Sequence, residues 1–290
     1  MWAALVATLS RPAWWAMALA AFLVRGGIVL IVLPIVSLPT TAGLTTALAP
    51  TLEAIYLGRP SLEGAVVAVA AIFLVLAGLT AAGLTGSWLD LALVREAARD
   101  EDVDLGWTPV RPSVALALAI RLAAHTPTVI AVGYGLVRLV TVAYEELTSP
   151  SAGNEPVALR VLARAPDALL AILLAWIVGE SVGALAARRA WAGASAPRAL
   201  AASYRQLLGR RGLATLALTG AVLVALWLPF VLAAGRAWDH LRGLLLQGAD
   251  AVQLAAALVL LAATWVLGLA VVGAALAWRA TAWTAEVRRA

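Results

Sequence analysis

Apolar residues gather into six long runs, near 12–37, 64–93, 127–145, 166–189, 212–235 and 251–279, with polar and turn-forming residues between them. Each run supplies roughly the 20 helical residues that a hydrocarbon core requires, so the pattern predicts six transmembrane helices. The third is delimited only by His125-Thr126-Pro127, because 112–145 otherwise reads as one apolar stretch. Pro34 and Pro229 stand near the outer ends of the first and fifth runs, where they are expected to kink or end a helix. The loops near 38–63, 146–165 and 236–250 are too short for a soluble domain, although Val157–Leu162 carries a brief helical pattern.

The junctions repeat. The even runs end in Thr85-Gly86-Ser87, Val182-Gly183-Ala184 and Val272-Gly273-Ala274, and the last two continue to Arg189-Ala190 and Arg279-Ala280 at the same offset. The odd runs are each entered through a short apolar segment and a break, at Ser10-Arg11-Pro12, His125-Thr126-Pro127 and Gly209-Arg210-Arg211. The best-marked short segment follows Pro197. Leu200, Tyr204, Leu207 and Leu208 share one helical face and Arg198, Arg205 and Gln206 the other, as in a helix lying on a membrane surface. The chain 1–290 therefore reads as a single all-α polytopic membrane bundle. Its three hairpin units, near 1–98, 108–192 and 195–285, run in parallel, which is not the inverted-repeat plan of many secondary transporters.

Composition makes membrane integration firm: 63 % of residues are hydrophobic and the mean hydropathy is +0.94, against about 45–50 % apolar in soluble domains. The net charge of +5 comes from 21 basic residues, every one Arg, and they cluster at the ends of apolar runs rather than forming a nucleic-acid face. Of the 21, 14 lie on the side of the two termini, five on the other side, and Arg25 and Arg138 within spans. The positive-inside rule then places both termini in the cytoplasm. Trp2, Trp14, Trp15, Trp107, Trp191, Trp278 and Trp283 fall near the same side, as an interfacial belt would. Asp100, Glu101, Asp102 and Asp104 lie there too. The start lacks the basic region of a cleavable signal, so the first span is expected to remain in the mature protein. The Ala, Leu, Arg and Gly bias without Lys fits a GC-rich bacterial genome and an inner-membrane location.

Chemistry is sparse. Without cysteine there is no thiol nucleophile or thiolate metal site, and His125 and His240 are far apart, so neither metal nor cofactor is expected. No HExxH, G-x-S-x-G or P-loop occurs, and Glu96-Ala97-Ala98 lacks the Gly and the Ile-x-Leu-Pro tail of the importer coupling motif. Gly78, Ala82 and Gly86, and likewise Ala175, Gly179, Gly183 and Ala187, recur at four-residue spacing and are expected to pack helices closely. Arg25, Arg138 and Glu180 are charges within spans, each costing roughly 2.5–3.5 kcal/mol on insertion scales, and so are candidate functional residues. Arg138 can snorkel to the outer interface, whereas Arg25 and Glu180 are expected to pair across the first and fourth spans; a transport site or a wet cleft is the alternative. Asp90 and Arg121 are expected to be solvated at the cytoplasmic face, and His125 to cap or border the helix break. Arg188, Arg189, Arg198, Arg205, Arg210 and Arg211 form the basic cluster expected to face lipid headgroups.

Gly183, Arg189-Ala190, Pro197-Arg198-Ala199-Leu200, Tyr204-Arg205 and Gly209-Arg210-Arg211 resemble a family of six-span bacterial membrane proteins. That family includes the membrane domain sometimes joined to glycerophosphodiester phosphodiesterases. The resemblance covers most of the chain, and the catalytic barrel of such fusions has no counterpart in it. It implies a membrane domain and carries over no catalytic residue. The expected function is a non-catalytic scaffold or accessory component engaging membrane lipid or partner proteins, followed by a permease for a small solute or lipid using Arg25 and Glu180, then a membrane enzyme.

Overall fold

A computed structural model describes residues 2–32, 62–100, 109–110, 112–148 and 157–288. The outer end of the first expected span with Pro34, the acids Glu101, Asp102 and Asp104, and Trp107 lie outside the described residues. Among the described residues every element is helical: α1 (Trp2–Leu9), α2 (Pro12–Phe22), α3 (Ile28–Val32), α4 (Leu62–Arg99), α5 (Val114–Ala124), α6 (Thr126–Thr148), α7 (Val157–Arg164), α8 (Pro166–Trp191), α9 (Ala196–Leu208), α10 (Arg210–Gln247) and α11 (Ala251–Arg288). Five stretches are long and apolar enough to cross a membrane: Phe73–Arg99, Thr126–Glu146, Pro166–Trp191, Arg210–Gln247 and Ala251–Val287.

The first expected span differs. Leu23–Gly27 between α2 and α3 forms a π-type turn, with Gly26 at φ +99°. A side chain rarely tolerates that backbone, so Gly26 is what permits the break. The opposite happens at Pro229, where α10 continues through to Gln247 and takes up most of the expected 236–250 loop. Proline removes one hydrogen bond, and the next residue, Phe230, is fixed edge-on against Trp265 of α11 at 5.8 Å between ring centroids. α10 and α11 are 38 residues each, about 57 Å of helix. They are joined by Gly248-Ala249-Asp250: Gly248 ends α10 at φ +69°, and Asp250 Oδ1 accepts the N–H groups of Val252 and Gln253 at 2.9 Å to start α11.

The helices fall into two compact units. The first comprises Met1–Val36, Ala82–Arg121 and Ser181–Ala290. Within it Ala7, Trp14 and Ala18 pack with Leu93 and Ala97 of α4 and Ala277 of α11. Arg11 pairs with Asp100 and Arg25 with Asp90, so α2 and the end of α4 are antiparallel. Thr215 meets Glu286, while Gly268 leaves room for the Phe230 ring, which makes α10 and α11 antiparallel as well.

The second unit comprises Ser37–Ala81 and Leu122–Glu180. Here α6 and α8 run antiparallel: the His125 ring lies against Gly179 at one end, and Tyr134 reaches Asp167 near the start of α8. The break expected at His125 is present, the His125 carbonyl accepting the Val129 N–H at 3.0 Å as α6 begins. The helical pattern expected after Val157 is α7, which packs Val161 against Val142, Ala165 and Ala168.

Candidate functional site

The most concentrated charge in the first unit is built on Asp90. It sits in α4 one helical turn beyond Gly86 and is 5 % exposed, which corrects the expectation of a solvated acid. Arg121 of α5, expected at the same wet face, is 6 % exposed and donates Nη2 to Asp90 Oδ2. Arg25 donates Nη1 to the same oxygen at 2.8 Å and Nη2 to Oδ1 at 3.4 Å. A carboxylate buried this deeply is retained only with such charge-assisted bonds.

The helix break explains how Arg25 gets there. Where the chain turns at Gly26, Arg25 Nε donates to the Ala21 carbonyl at 2.9 Å, satisfying an acceptor at the end of α2 while the rest of the guanidinium turns to Asp90. Gly86 makes room for the stem. A Cβ on it would stand 2.9 Å from Arg25 Cγ and 3.1 Å from Cδ, so this small residue admits an arginine rather than a neighbouring helix backbone.

Arg188 overturns another expectation. It is 1 % exposed, within the protein rather than at a lipid surface. Nε donates to Thr284 Oγ1 at 2.8 Å, Nη1 to the Ala184 carbonyl at 3.0 Å and Nη2 to the Ala280 carbonyl at 3.2 Å, tying α8 to α11. Arg189 is half-buried and donates to Gln206 Oε1 at 2.6 Å; Gln206 in turn donates to the Glu286 carbonyl at 3.1 Å. Arg198, Arg205, Arg210 and Arg211 are exposed. The helix that carries Arg198 and Arg205, α9, does not present its whole apolar face outward. Ala199, Ser203 and Leu207 are buried, with Ala199 packed against Ile120, Ala186 and Ala190, while Leu208 stays exposed.

In the second unit Glu180 lies 3.5 Å from His125 Nε2, both side chains partly covered. Gly179 is buried and leaves space for that ring, 3.0 Å from an added Cβ, and for Thr128 Oγ1 at 3.2 Å. Arg138 Nε approaches Asp167 at 3.5 Å, and Tyr134 donates its hydroxyl to Asp167 at 2.6 Å; Tyr134 and Asp167 are exposed and Arg138 is half-buried. Glu146, 1 % exposed, accepts from Arg160 at 3.0 Å and Arg164 at 2.7 Å. The Arg164 pKa is raised, chiefly by that bond to Glu146. Gly78 is exposed, and nothing among the described residues comes within 4 Å of a Cβ placed on it. Ala82 is half-buried and Gly183 buried.

The sequence reading placed Asp90 and Arg121 in solvent and did not single out Glu286, yet all three are buried. Asp90 falls four residues after Gly86, on the same face as the small-residue stripe, and that register was the available signal. Among the described residues no group of three or more His, Asp or Glu is placed to hold a metal ion. The charges are fixed by hydrogen bonds between helices, an arrangement suited to holding helices in register. No protein family, curated protein or solved structure matches the chain.

Proposed function

We propose that the protein is a non-catalytic inner-membrane scaffold or accessory component that engages lipid and partner proteins. It crosses the bilayer six times in three parallel hairpin units, with both termini in the cytoplasm. The observation that carries this reading is the Asp90 cluster: intramembrane charge joins α4 to Arg25 and α5 through direct ion pairs. Buried pairs of this kind are costly to open and serve specificity of packing, which suits a rigid component. The exposed Arg198, Arg205, Arg210 and Arg211 supply a basic surface for an anionic leaflet.

A permease is the second reading, and one observation favours it. Discontinuous helices are recurrent binding elements in transporters, and the break at Arg25-Gly26 is one. The two readings differ in whether water reaches Asp90. The chain has no cysteine, so a single Ser87→Cys, at a fully buried position three residues before Asp90, can be probed with a water-soluble maleimide. The scaffold reading expects protection in intact membranes and in detergent. Rapid labelling would overturn it in favour of a wet, alternating path. Ala201→Cys, exposed on α9, reports sidedness in the same experiment: it should label only after the membrane is opened.

A further inference from the structure

In the first unit, α2 and α4 border a groove of about 400 Å³ lined by Ala13, Trp14, Met17, Trp88, Ala92, Arg95, Glu96 and Arg99. Its α4 wall changes character along its length. Trp88 and Ala92 form an apolar stretch, and Arg95, Glu96 and Arg99 follow within the next two turns. From Trp88 to Arg99 is about 16 Å of helix, the scale of a lipid headgroup and the upper part of its acyl chains. Trp88 is 57 % exposed and gives the groove an open apolar wall.

The polar end carries one net positive charge. Arg99 pairs with Glu96 at 3.4 Å, an exposed and therefore weak bond, and Arg95 forms no ion pair among the described residues. Just beyond, Arg11 lies over the Trp14 ring at 5.2 Å while pairing with Asp100. A ligand that complements this groove has a hydrocarbon part for Trp88, Met17 and Ala92 and a single negative charge for Arg95 and Arg99.

We propose that this groove binds one anionic phospholipid, its phosphate between Arg95 and Arg99 and an acyl chain along Trp88 and Met17. The proposal deepens the reading of the protein as a lipid-engaging component by locating a discrete site, separate from the exposed arginines of α9 and α10. A zwitterionic lipid fits less well, because its positive headgroup would meet Arg95 and Arg99.

The test is native mass spectrometry of the full chain in detergent with equal amounts of phosphatidylglycerol and phosphatidylcholine. Phosphatidylglycerol should be retained in preference, with a stoichiometry of one for the most resistant adduct. Arg95→Gln with Arg99→Gln should weaken that adduct on the order of tenfold, since each arginine near an anionic lipid contributes about one kT or more. Glu96→Gln should strengthen it. Arg95→Lys with Arg99→Lys should largely retain it, and Arg205→Gln with Arg211→Gln should leave it unchanged. Equal retention of the two lipids, or an adduct indifferent to the Arg95 and Arg99 changes, would overturn the site. These outcomes are independent of maleimide labelling at residue 87, so the groove can fail while the scaffold reading stands, and the reverse.

Discussion

Asp90 and Glu146 are both carboxylates shielded from solvent and both bridged by two arginines, yet their partners come from very different places. Those of Glu146 are Arg160 and Arg164, 14 and 18 residues on and one turn apart in the neighbouring short helix. Those of Asp90 are Arg25 and Arg121, 65 and 31 residues away on separate elements. The Glu146 cluster forms as soon as α6 and α7 meet, at a small cost in loop closure. The Asp90 cluster requires the tertiary arrangement to exist and then holds it. Solvent sharpens the contrast: the Arg164 side chain is 44 % exposed, whereas Arg121 is 7 % exposed.

The largest effect should follow from Asp90→Asn. It strands two arginines in a low-dielectric setting, and breaking a buried pair costs about 3–5 kcal/mol. Reversible unfolding in detergent micelles or bicelles measures it, and adding Arg121→Leu should restore part of the loss. A stability equal to that of the unsubstituted protein would show that Asp90 holds nothing in place. Glu146→Gln should cost less, about 1–3 kcal/mol, because the amide keeps one acceptor and Arg164 can turn to water. If it proves the more damaging of the two, partner distance in sequence is the wrong criterion.

The smallest effects concern two glycines of opposite role. Gly26→Ala places a side chain at a left-handed backbone and should cost about 1–2 kcal/mol, even though open space surrounds the position. Gly78→Ala, in the middle of α4 with nothing near among the described residues, should be neutral or stabilise by up to about 1 kcal/mol through helix propensity. Equal signs for the two would mean that the kink at Gly26 is not required for the Arg25–Asp90 pair.

Features whose cause is local were legible. Polar breaks and helix-starting residues marked His125 and Val157, and the apolar runs gave the ends of α6 and α8 to within a few residues. Features set by neighbours were not. Pro229 carries a strong local stop signal, but the Phe230–Trp265 contact lies across a hairpin and no local pattern reports it. Gly26 sits among apolar residues and reads as ordinary span until its backbone is seen. Arg188 and Arg189 look alike as a charged pair at a helix end. A rotation of about 100° per residue sends one into the protein and the other to its edge. The same limit applied to Asp90, whose burial depends on which side of α4 the other helices occupy.

The length of the α10–α11 hairpin bears on how the protein meets bilayers of different thickness. Ala251–Trp278 of α11 is 28 residues without a charge, about 42 Å of helix against a hydrocarbon core of about 30 Å. Yet Val272, Gly273, Ala275, Ala277 and Trp278 at its far end are buried in the protein, so the stretch left to face lipid is 251–271, about 32 Å of helix. That length matches the core with the helix close to upright. Phe230 and Trp265 meet within it, edge to face. A thinner bilayer would have to tilt the hairpin and a thicker one would have to thin around it, each at a modest cost per ångström of mismatch.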